Sequence, residues 1–179
     1  MPPENVTRSA RPFRVRRTTV ADLAALVSLV EAVAAEGRWI GVEHVDRAQR
    51  HDQLRAALAD PHEGAFVAEA GAAGELIGQL GMSLRSYGVA DVGMLVAASW
   101  RGRGVGKALL GAGIDWARGA GAHKVALQVW PHNEAARGLY RRFGFVEEGL
   151  LRRHYRRRNG ELWDAVIMGL LLDEPPPAG

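Results

Sequence analysis

Residues 91–110 read DVGMLVAASWRGRGVGKALL, and the prediction of the fold depends on the change of pattern within this stretch. It begins as a strand, continues as a loop containing Gly102, Gly104 and Gly106, and becomes helical after Gly104. Glycine lets the backbone turn tightly and approach a ligand, and the start of a helix offers unpaired N–H groups at the positive end of its dipole. The stretch therefore predicts a loop that binds phosphate.

Two common nucleotide-binding motifs do not match this loop. A Walker A loop needs Ser or Thr after Gly106-Lys107 to hold magnesium, whereas this sequence has Ala108. A dinucleotide fingerprint needs G-x-G-x-x-G early in a parallel sheet, and neither the glycine spacing nor the strands predicted upstream agree with it. Both interpretations are therefore rejected.

The elements on either side of the loop predict a mixed α/β (α+β) fold. Upstream we expect a strand near Phe13, two helices and three strands in an antiparallel meander, and downstream a strand, a helix and a final strand pair. Thr19 and Asp22 resemble a capping box before the first helix, and Asn159-Gly160 marks the last hairpin. With no repeat or long linker, residues 13–172 are predicted as a single domain, with disordered tails at 1–12 and 173–179.

Composition excludes several classes of protein. The chain has 179 residues, of which 47% are hydrophobic and 24% charged, values typical of a globular protein. No apolar run approaches a membrane span and the start MPPENVTRSARPF lacks an apolar signal segment, so a cytoplasmic location without membrane contact is expected. Cysteine is absent, which rules out disulfides, a thiolate nucleophile and sulfur-bound zinc, and the six histidines lack metal-binding spacing. No metal is expected.

Two motifs resemble those of the GNAT superfamily of N-acetyltransferases. Arg101, Gly104 and Gly106 match the family's acetyl-CoA loop. A second segment matches a helix with Asn at its start and Tyr near its end that runs into Gly-Phe: Asn133, Ala136, Leu139, Tyr140, Phe143, Gly144 and Phe145. The order of predicted elements agrees as well, so the resemblance extends from Phe13 to Leu172. It implies a mixed sheet of about six to seven strands, splayed between the fourth and fifth, with about four helices on both faces.

The resemblance also implies how acetyl-CoA, the acetyl donor, is bound. Its pantetheine arm would lie in the gap between the splayed strands and bond to the backbone of Met94, Leu95 and Val96. Its pyrophosphate would lie on backbone N–H groups of the loop: Arg101, Gly102, Arg103, Gly104, Val105, Gly106 and Lys107. Asn133 would either contact the arm or cap its helix, and Lys107 would either pair with phosphate or stay exposed.

The reaction implied by the resemblance is transfer of an acetyl group from a thioester to an amine. Tyr140 is the candidate general acid, because a phenol is protonated at neutral pH and can donate to the departing thiolate. The alternative is an aromatic side chain that only packs on the buried face of its helix. A backbone N–H near Leu95 would meet the oxyanion. Asp91 is the candidate base, acting through water, and the alternative is a solvated carboxylate at a strand edge.

The acceptor side is less defined by sequence. Glu36, Glu43 and His44 flank the loop GRWIGVEH, which in the family borders the acceptor site, and they are secondary candidates for the base or for substrate contact. The segment Arg152 to Arg158, RRHYRRR, contributes much of the pI of about 9.8. We interpret this segment first as a solvated hairpin, second as an acceptor or protein contact, and last as a nucleic-acid site, because alternation along a strand would split the charges between two faces.

The predicted function is therefore transfer of the acetyl group of acetyl-CoA to a primary amine by direct attack in a ternary complex. The acceptor would be a small molecule or a protein N-terminus, since the C-terminal part is most similar to the ribosomal-protein and small-amine branch of the family. The alternative is a CoA-binding sensor or regulatory module without catalysis. Homodimers are common in the family, and binding of nucleic acid is not expected.

Overall fold

A computed structural model describes residues 12–172 of the chain, so the predicted tails, apart from Pro12, lie outside the described residues. Seven strands form one sheet in the order β1-β2-β3-β4-β5-β7-β6. The elements are β1 (Phe13–Arg17), α1 (Leu23–Ala34), α2 (Arg47–Ala59), β2 (Glu63–Ala70), β3 (Glu75–Leu84), β4 (Val89–Val96), α3 (Val105–Gly119), β5 (Lys124–Val129), α4 (Glu134–Arg142), β6 (Val146–Arg156) and β7 (Leu162–Leu171). The predicted order of elements is confirmed.

Local signals set the ends of the first helices. The Asp22 carboxylate accepts a hydrogen bond from the Thr19 N–H at 2.7 Å, which confirms the capping box, and a short 3-10 turn leads from it into α1. Helix α2 begins after Asp46, whose side chain accepts from Gln49 N at 3.0 Å, and it ends before Asp60. Between the two helices lies an irregular loop over residues 35–46, called the acceptor loop below.

The helices lie on both faces of the sheet, as expected. A Cβ built on Gly78 or Gly113 would meet side chains across the interface between β3 and α3, so this pair packs closely. Gln79 and Gly81, which alternate with Gly78 along β3, instead line a small cavity beneath α1 and α2. Helix α4 packs against the start of α3, because a Cβ on Gly106 would come within 3.2 Å of the Leu139 side chain.

The sheet opens between β4 and β5, as the resemblance implied. These two strands are parallel and share only three residue pairs, the last of them Asp91 with Ala126. The rest of β4 stays paired with β3 and the rest of β5 with β7, so each strand is held on its outer side only. The result is a gap whose walls carry backbone groups that no neighbouring strand satisfies.

Candidate active site

The two sequence motifs meet at one cavity of about 870 Å³ in the gap between β4 and β5. Most of the predicted cofactor-binding residues line it, together with the candidate acid: Met94, Leu95, Val96, Arg101, Gly102, Gly104, Gly106, Lys107, Asn133 and Tyr140. Arg103 and Val105 do not line it, because Val105 is buried in the core and Arg103 lies against the Trp100 ring. Residues separated by about a quarter of the chain therefore share a single site.

The glycine loop presents the start of α3 to this cavity. Gly104 precedes the helix with φ of +84°, a left-handed conformation that glycine adopts without strain. The first helical hydrogen bond of this turn runs from Ala108 N to Gly104 O at 3.1 Å. The N–H groups of the three preceding residues are free by helix geometry, so they form an anion-binding end with Lys107 beside it.

Replacing Gly104 by Ala tests this loop, because a Cβ there meets nothing within 4 Å and only the backbone conformation is penalised. We expect acetyl-CoA to bind about 5-fold more weakly or worse, the equivalent of about 1 kcal/mol. Gly111→Ala, later in the same helix and equally free of contacts, is the matched control and is expected to add about 0.5–1 kcal/mol of stability with unchanged affinity. Calorimetric titration with acetyl-CoA measures the affinity of both variants, and equal affinities would contradict the role of the loop.

The edge of β4 offers its backbone to the cavity at alternate residues. Ala97 N donates to Ile77 O of β3 at 2.9 Å, and the alternation of an antiparallel ladder turns the N–H of Leu95 toward β3 as well. The backbone groups of Met94 and Val96 then face the gap, and Val96 O there accepts from Arg101 Nε at 3.1 Å. An oxyanion donor on this strand is therefore Met94 or Val96 rather than Leu95.

Tyr140 lies on the buried side of α4 and reaches the cavity. Its ring packs against Phe145 with centroids 5.6 Å apart, and the residue is only 8% exposed. Burial raises the pKa of its hydroxyl to about 12. Because this hydroxyl has no hydrogen-bond partner among residues 12–172, it is a protonated donor available to a ligand.

Asn133 caps α4 and lines the cavity at the same time. Its Oδ1 accepts from Ala136 N at 3.2 Å, so the capping alternative holds for the oxygen. The amide nitrogen is left for a ligand. Arg142, one turn beyond Leu139, also lines the cavity. It was not predicted from the sequence, because no pattern distinguishes it from the neighbouring arginines.

Asp91 does not line the cavity. It lies at the last paired position of β4 and β5, and its carboxylate accepts from Arg85 Nε at 2.7 Å on the surface. This position favours the solvated alternative over the role of base. Among residues 12–172, the lining includes no Asp, Glu or His.

Glu36 and Glu43 bind arginines instead of projecting into the cavity. Glu36 pairs with both terminal nitrogens of Arg101, at 2.6 and 2.7 Å, and these bonds lower the pKa of its carboxyl. Glu43 accepts from Arg158 N at 3.0 Å and lies 3.3 Å from Arg157 Nε. His44 is exposed and does not line the cavity. The two glutamates thus fasten the acceptor loop to the rest of the molecule.

Arg157 corrects the interpretation of the arginine-rich hairpin as a solvated surface. Arg152, Arg153, Arg156 and Arg158 are exposed, but the Arg157 side chain is only 3% exposed. Its guanidinium approaches three carbonyl oxygens of the acceptor loop, those of Gly37, Ile40 and Gly41, at 3.3 to 3.4 Å. Arg157 therefore binds the acceptor loop through three backbone carbonyls and Glu43, while Arg101 binds it through Glu36.

Aromatic side chains line the part of the cavity next to the acceptor loop, called the acceptor end below. Trp39 of the acceptor loop, Trp130 after β5 and Tyr155 of β6 all line it. Trp130 packs edge-on to Tyr155 at 5.0 Å, and the Tyr155 hydroxyl donates to Gln128 Oε1 at 2.6 Å. The sequence showed Trp39 within GRWIGVEH, but nothing in it linked this residue to the other two.

Two absences hold for the part of the chain that the structure describes. No cluster of three or more His, Asp or Glu side chains there could hold a metal ion. None of the helices over residues 12–172 combines the length and the apolar character that crossing a bilayer requires.

Comparison with known proteins identifies the family. The chain is 40% identical over 105 residues to the N-alpha-acetyltransferase RimI of Mycobacterium tuberculosis, a match over 55% of this chain and 62% of that protein, which is less than two thirds of its length. It is 33% identical over 142 residues to the aminoglycoside N(6')-acetyltransferase type 1 of Stenotrophomonas maltophilia, covering 74% and 86% of the two chains.

A solved structure agrees with these relatives. The ribosomal-protein-alanine N-acetyltransferase of Brucella melitensis superposes with a TM-score of 0.79 at 27% identity, over 88% of this chain and 99% of that one. The model of the acetyltransferase (GNAT) family matches residues 27–145, which include the glycine loop and the helix that carries Tyr140. The chain belongs to the GNAT acetyltransferase family.

Proposed function

We propose that this chain is an acetyl-CoA-dependent N-acetyltransferase that transfers the acetyl group to a primary amine by direct attack in a ternary complex. The observation that carries the proposal is that a free helix N-terminus and an unpartnered, protonated Tyr140 hydroxyl open on the same cavity. The helix N-terminus suits a pyrophosphate, and the Tyr140 hydroxyl suits a departing thiolate. A cytoplasmic site of action is part of the proposal.

The residues present fit the donor. The N–H groups at the start of α3 would hold its pyrophosphate, and the gap-facing backbone of Met94 and Val96 would hold its arm. When bound, acetyl-CoA supplies a thioester carbonyl for attack and a thiol leaving group. Arg101 contributes little to the phosphates through its side chain, because Glu36 already occupies both of its terminal nitrogens.

Protons are handled at two places in this proposal. Tyr140 holds a proton at its hydroxyl, donates it to the departing sulfur, and regains one from the attacking nitrogen as the amide forms. Because no carboxylate or imidazole among the described residues lines the cavity, the ammonium form of the acceptor loses its proton to water before the neutral amine attacks. Binding of the neutral amine among apolar and aromatic side chains favours this loss, since burial disfavours the charged form.

The pH profile of kcat/KM tests this distribution. The acid acts in its protonated form and its pKa is raised to about 12, so its contribution is fully present at low pH and is lost only as pH rises through that value. We expect no descending limb below about pH 11, and an ascending limb whose midpoint moves with the amine pKa of the acceptor. Two acceptors of different amine pKa suffice, and a midpoint shared by both would reveal an enzyme base.

The function itself is tested by mixing the chain with acetyl-CoA and a panel of primary amines while free thiol is measured. The panel includes a peptide N-terminus, free amino acids, a polyamine and an aminoglycoside. Acceptor-dependent thiol release is the expected result. Binding of acetyl-CoA without thiol release across the whole panel would contradict catalysis and favour a sensor that binds CoA.

A further inference from the structure

The acceptor end of the cavity is aromatic and lacks negative charge. Trp39, Trp130 and Tyr155 form its walls, and none of the lining residues within 12–172 is Asp or Glu. The nearest carboxylates of the acceptor loop are already bound: Glu36 by Arg101 and Trp39 Nε1, and Glu43 by Arg157 and Arg158 N. An amine with several positive charges would find no free carboxylate there.

Aromatic faces can bind cations, but arginines of the chain already lie over two of these three rings. The Arg38 guanidinium lies 4.4 Å from the centroid of Trp39, and that of Arg101 lies 5.5 Å from it. Arg157 lies 4.4 Å from Trp163 and 5.6 Å from Trp130. Guanidinium groups thus lie over Trp39 and Trp130, though not over Tyr155, and they repel further positive charge at those two rings.

The acceptor loop contains one arginine, Arg38, and its side chain is exposed. Arg101 and Arg157 are each matched by a glutamate, but Arg38 takes part in no ion pair within residues 12–172 and lies directly on a ring that lines the cavity. An unpaired guanidinium beside an apolar wall suits a carboxylate of the ligand, because the two form charge-assisted hydrogen bonds.

We infer that the acceptor, on the function proposed above, is an aromatic or large apolar amine with a single positive charge. Where it carries another charged group, that group is a carboxylate. The amine enters between Trp39 and Tyr155, the apolar body packs on the aromatic walls and a carboxylate lies toward Arg38. Polyamines and aminoglycosides are poor substrates of this site.

The test compares five acceptors: phenethylamine, phenylalanine, a short peptide that begins with phenylalanine and ends with glutamate, spermidine and kanamycin. We expect kcat/KM for the best aromatic acceptor to exceed that for spermidine and kanamycin by about 10-fold or more. The order within the first three distinguishes a carboxylate next to the amine from a distant one. Preference for spermidine or kanamycin would overturn the inference while leaving acetyl transfer intact.

A gain-of-function variant adds the missing charge. Gln128→Glu puts a carboxylate beside Trp130 and still accepts the hydrogen bond from Tyr155. It is expected to raise the ratio of kcat/KM for spermidine to that for phenethylamine by about 10-fold. Gln53→Glu makes the same change of net charge on the exposed face of α2 and is expected to leave that ratio unchanged. An unchanged ratio in Gln128→Glu would count against the inference.

Calorimetric titration of each amine into the complex of protein and CoA separates the two proposals. Binding of aromatic amines but not of spermidine, without any turnover, would support the inferred site and contradict the transferase function. Aromatic amines that neither bind nor react would overturn the inference.

Discussion

Tyr140→Phe is expected to lower kcat by about 100-fold or more while the dissociation constant of acetyl-CoA stays nearly constant. The hydroxyl has no hydrogen-bond partner among the described residues, so its removal breaks no internal contact. The phenylalanine ring keeps the packing against Phe145, and the melting temperature should not fall. Single-turnover thiol release measures the chemical step, and calorimetry measures donor affinity.

Tyr155→Phe is the matched control, because it also removes a phenol that lines the cavity. Its hydroxyl is bonded to Gln128 at the acceptor end, so we expect a change in acceptor KM and little change in the single-turnover rate. If Tyr140→Phe left the single-turnover rate unchanged, Tyr140 would be only a packing residue and the proposed acid would be wrong.

Arg157→Met is expected to raise the acceptor KM strongly and to lower the free energy of unfolding by about 2 kcal/mol. The substitution keeps an unbranched side chain against Trp163 but leaves three loop carbonyls and Glu43 without their shared cation. For a chain of this length the corresponding fall in melting temperature is about 4–8 °C. Donor affinity should be retained, because Arg157 does not line the cavity.

Arg156→Met tests whether the effect depends on burial. Arg156 is exposed, adjacent in sequence and equally charged, so its replacement should change neither stability nor KM noticeably. Equal effects of the two substitutions would show that the hairpin acts through its overall charge, and the clamp on the acceptor loop would then be wrong.

The elements of this fold were predictable where their signals are local. The capping box at Thr19, the Asn133 cap and the glycine that precedes α3 all act within a few residues, so a pattern in the sequence suffices to place them. The opening of the sheet between β4 and β5 came from the resemblance alone. Hydrophobic periodicity gives strands but does not say where two paired strands separate.

The site was only partly predictable, because its arginines act over long distances in sequence. Arg101 stands in the phosphate loop, yet its partner Glu36 lies 65 residues away. Arg157 looked like one charge among five, but contacts with carbonyls 116 to 120 residues earlier bury it. The register of β6 also shifts between Leu151 and Tyr155, where Arg153 has φ of +49°, and simple alternation cannot show which side chains then face inward.

Asp91 illustrates the opposite case. A carboxylate at the start of a strand was a reasonable base from the resemblance, but Arg85, six residues earlier, binds it on the surface. The hairpin between β3 and β4 brings these two residues together, and the cavity begins only at Val92. Asp91 thus belongs to the part of β4 that is paired with β5, whereas the next residue already belongs to the part that lines the cavity.

The most direct test of the proposed site is a crystal structure of the chain with CoA. We expect the pyrophosphate on the N–H groups at the start of α3, the arm along Met94 and Val96, and the sulfur within hydrogen-bonding distance of the Tyr140 hydroxyl. A sulfur that lies away from Tyr140, or a ligand bound outside the gap between β4 and β5, would contradict it.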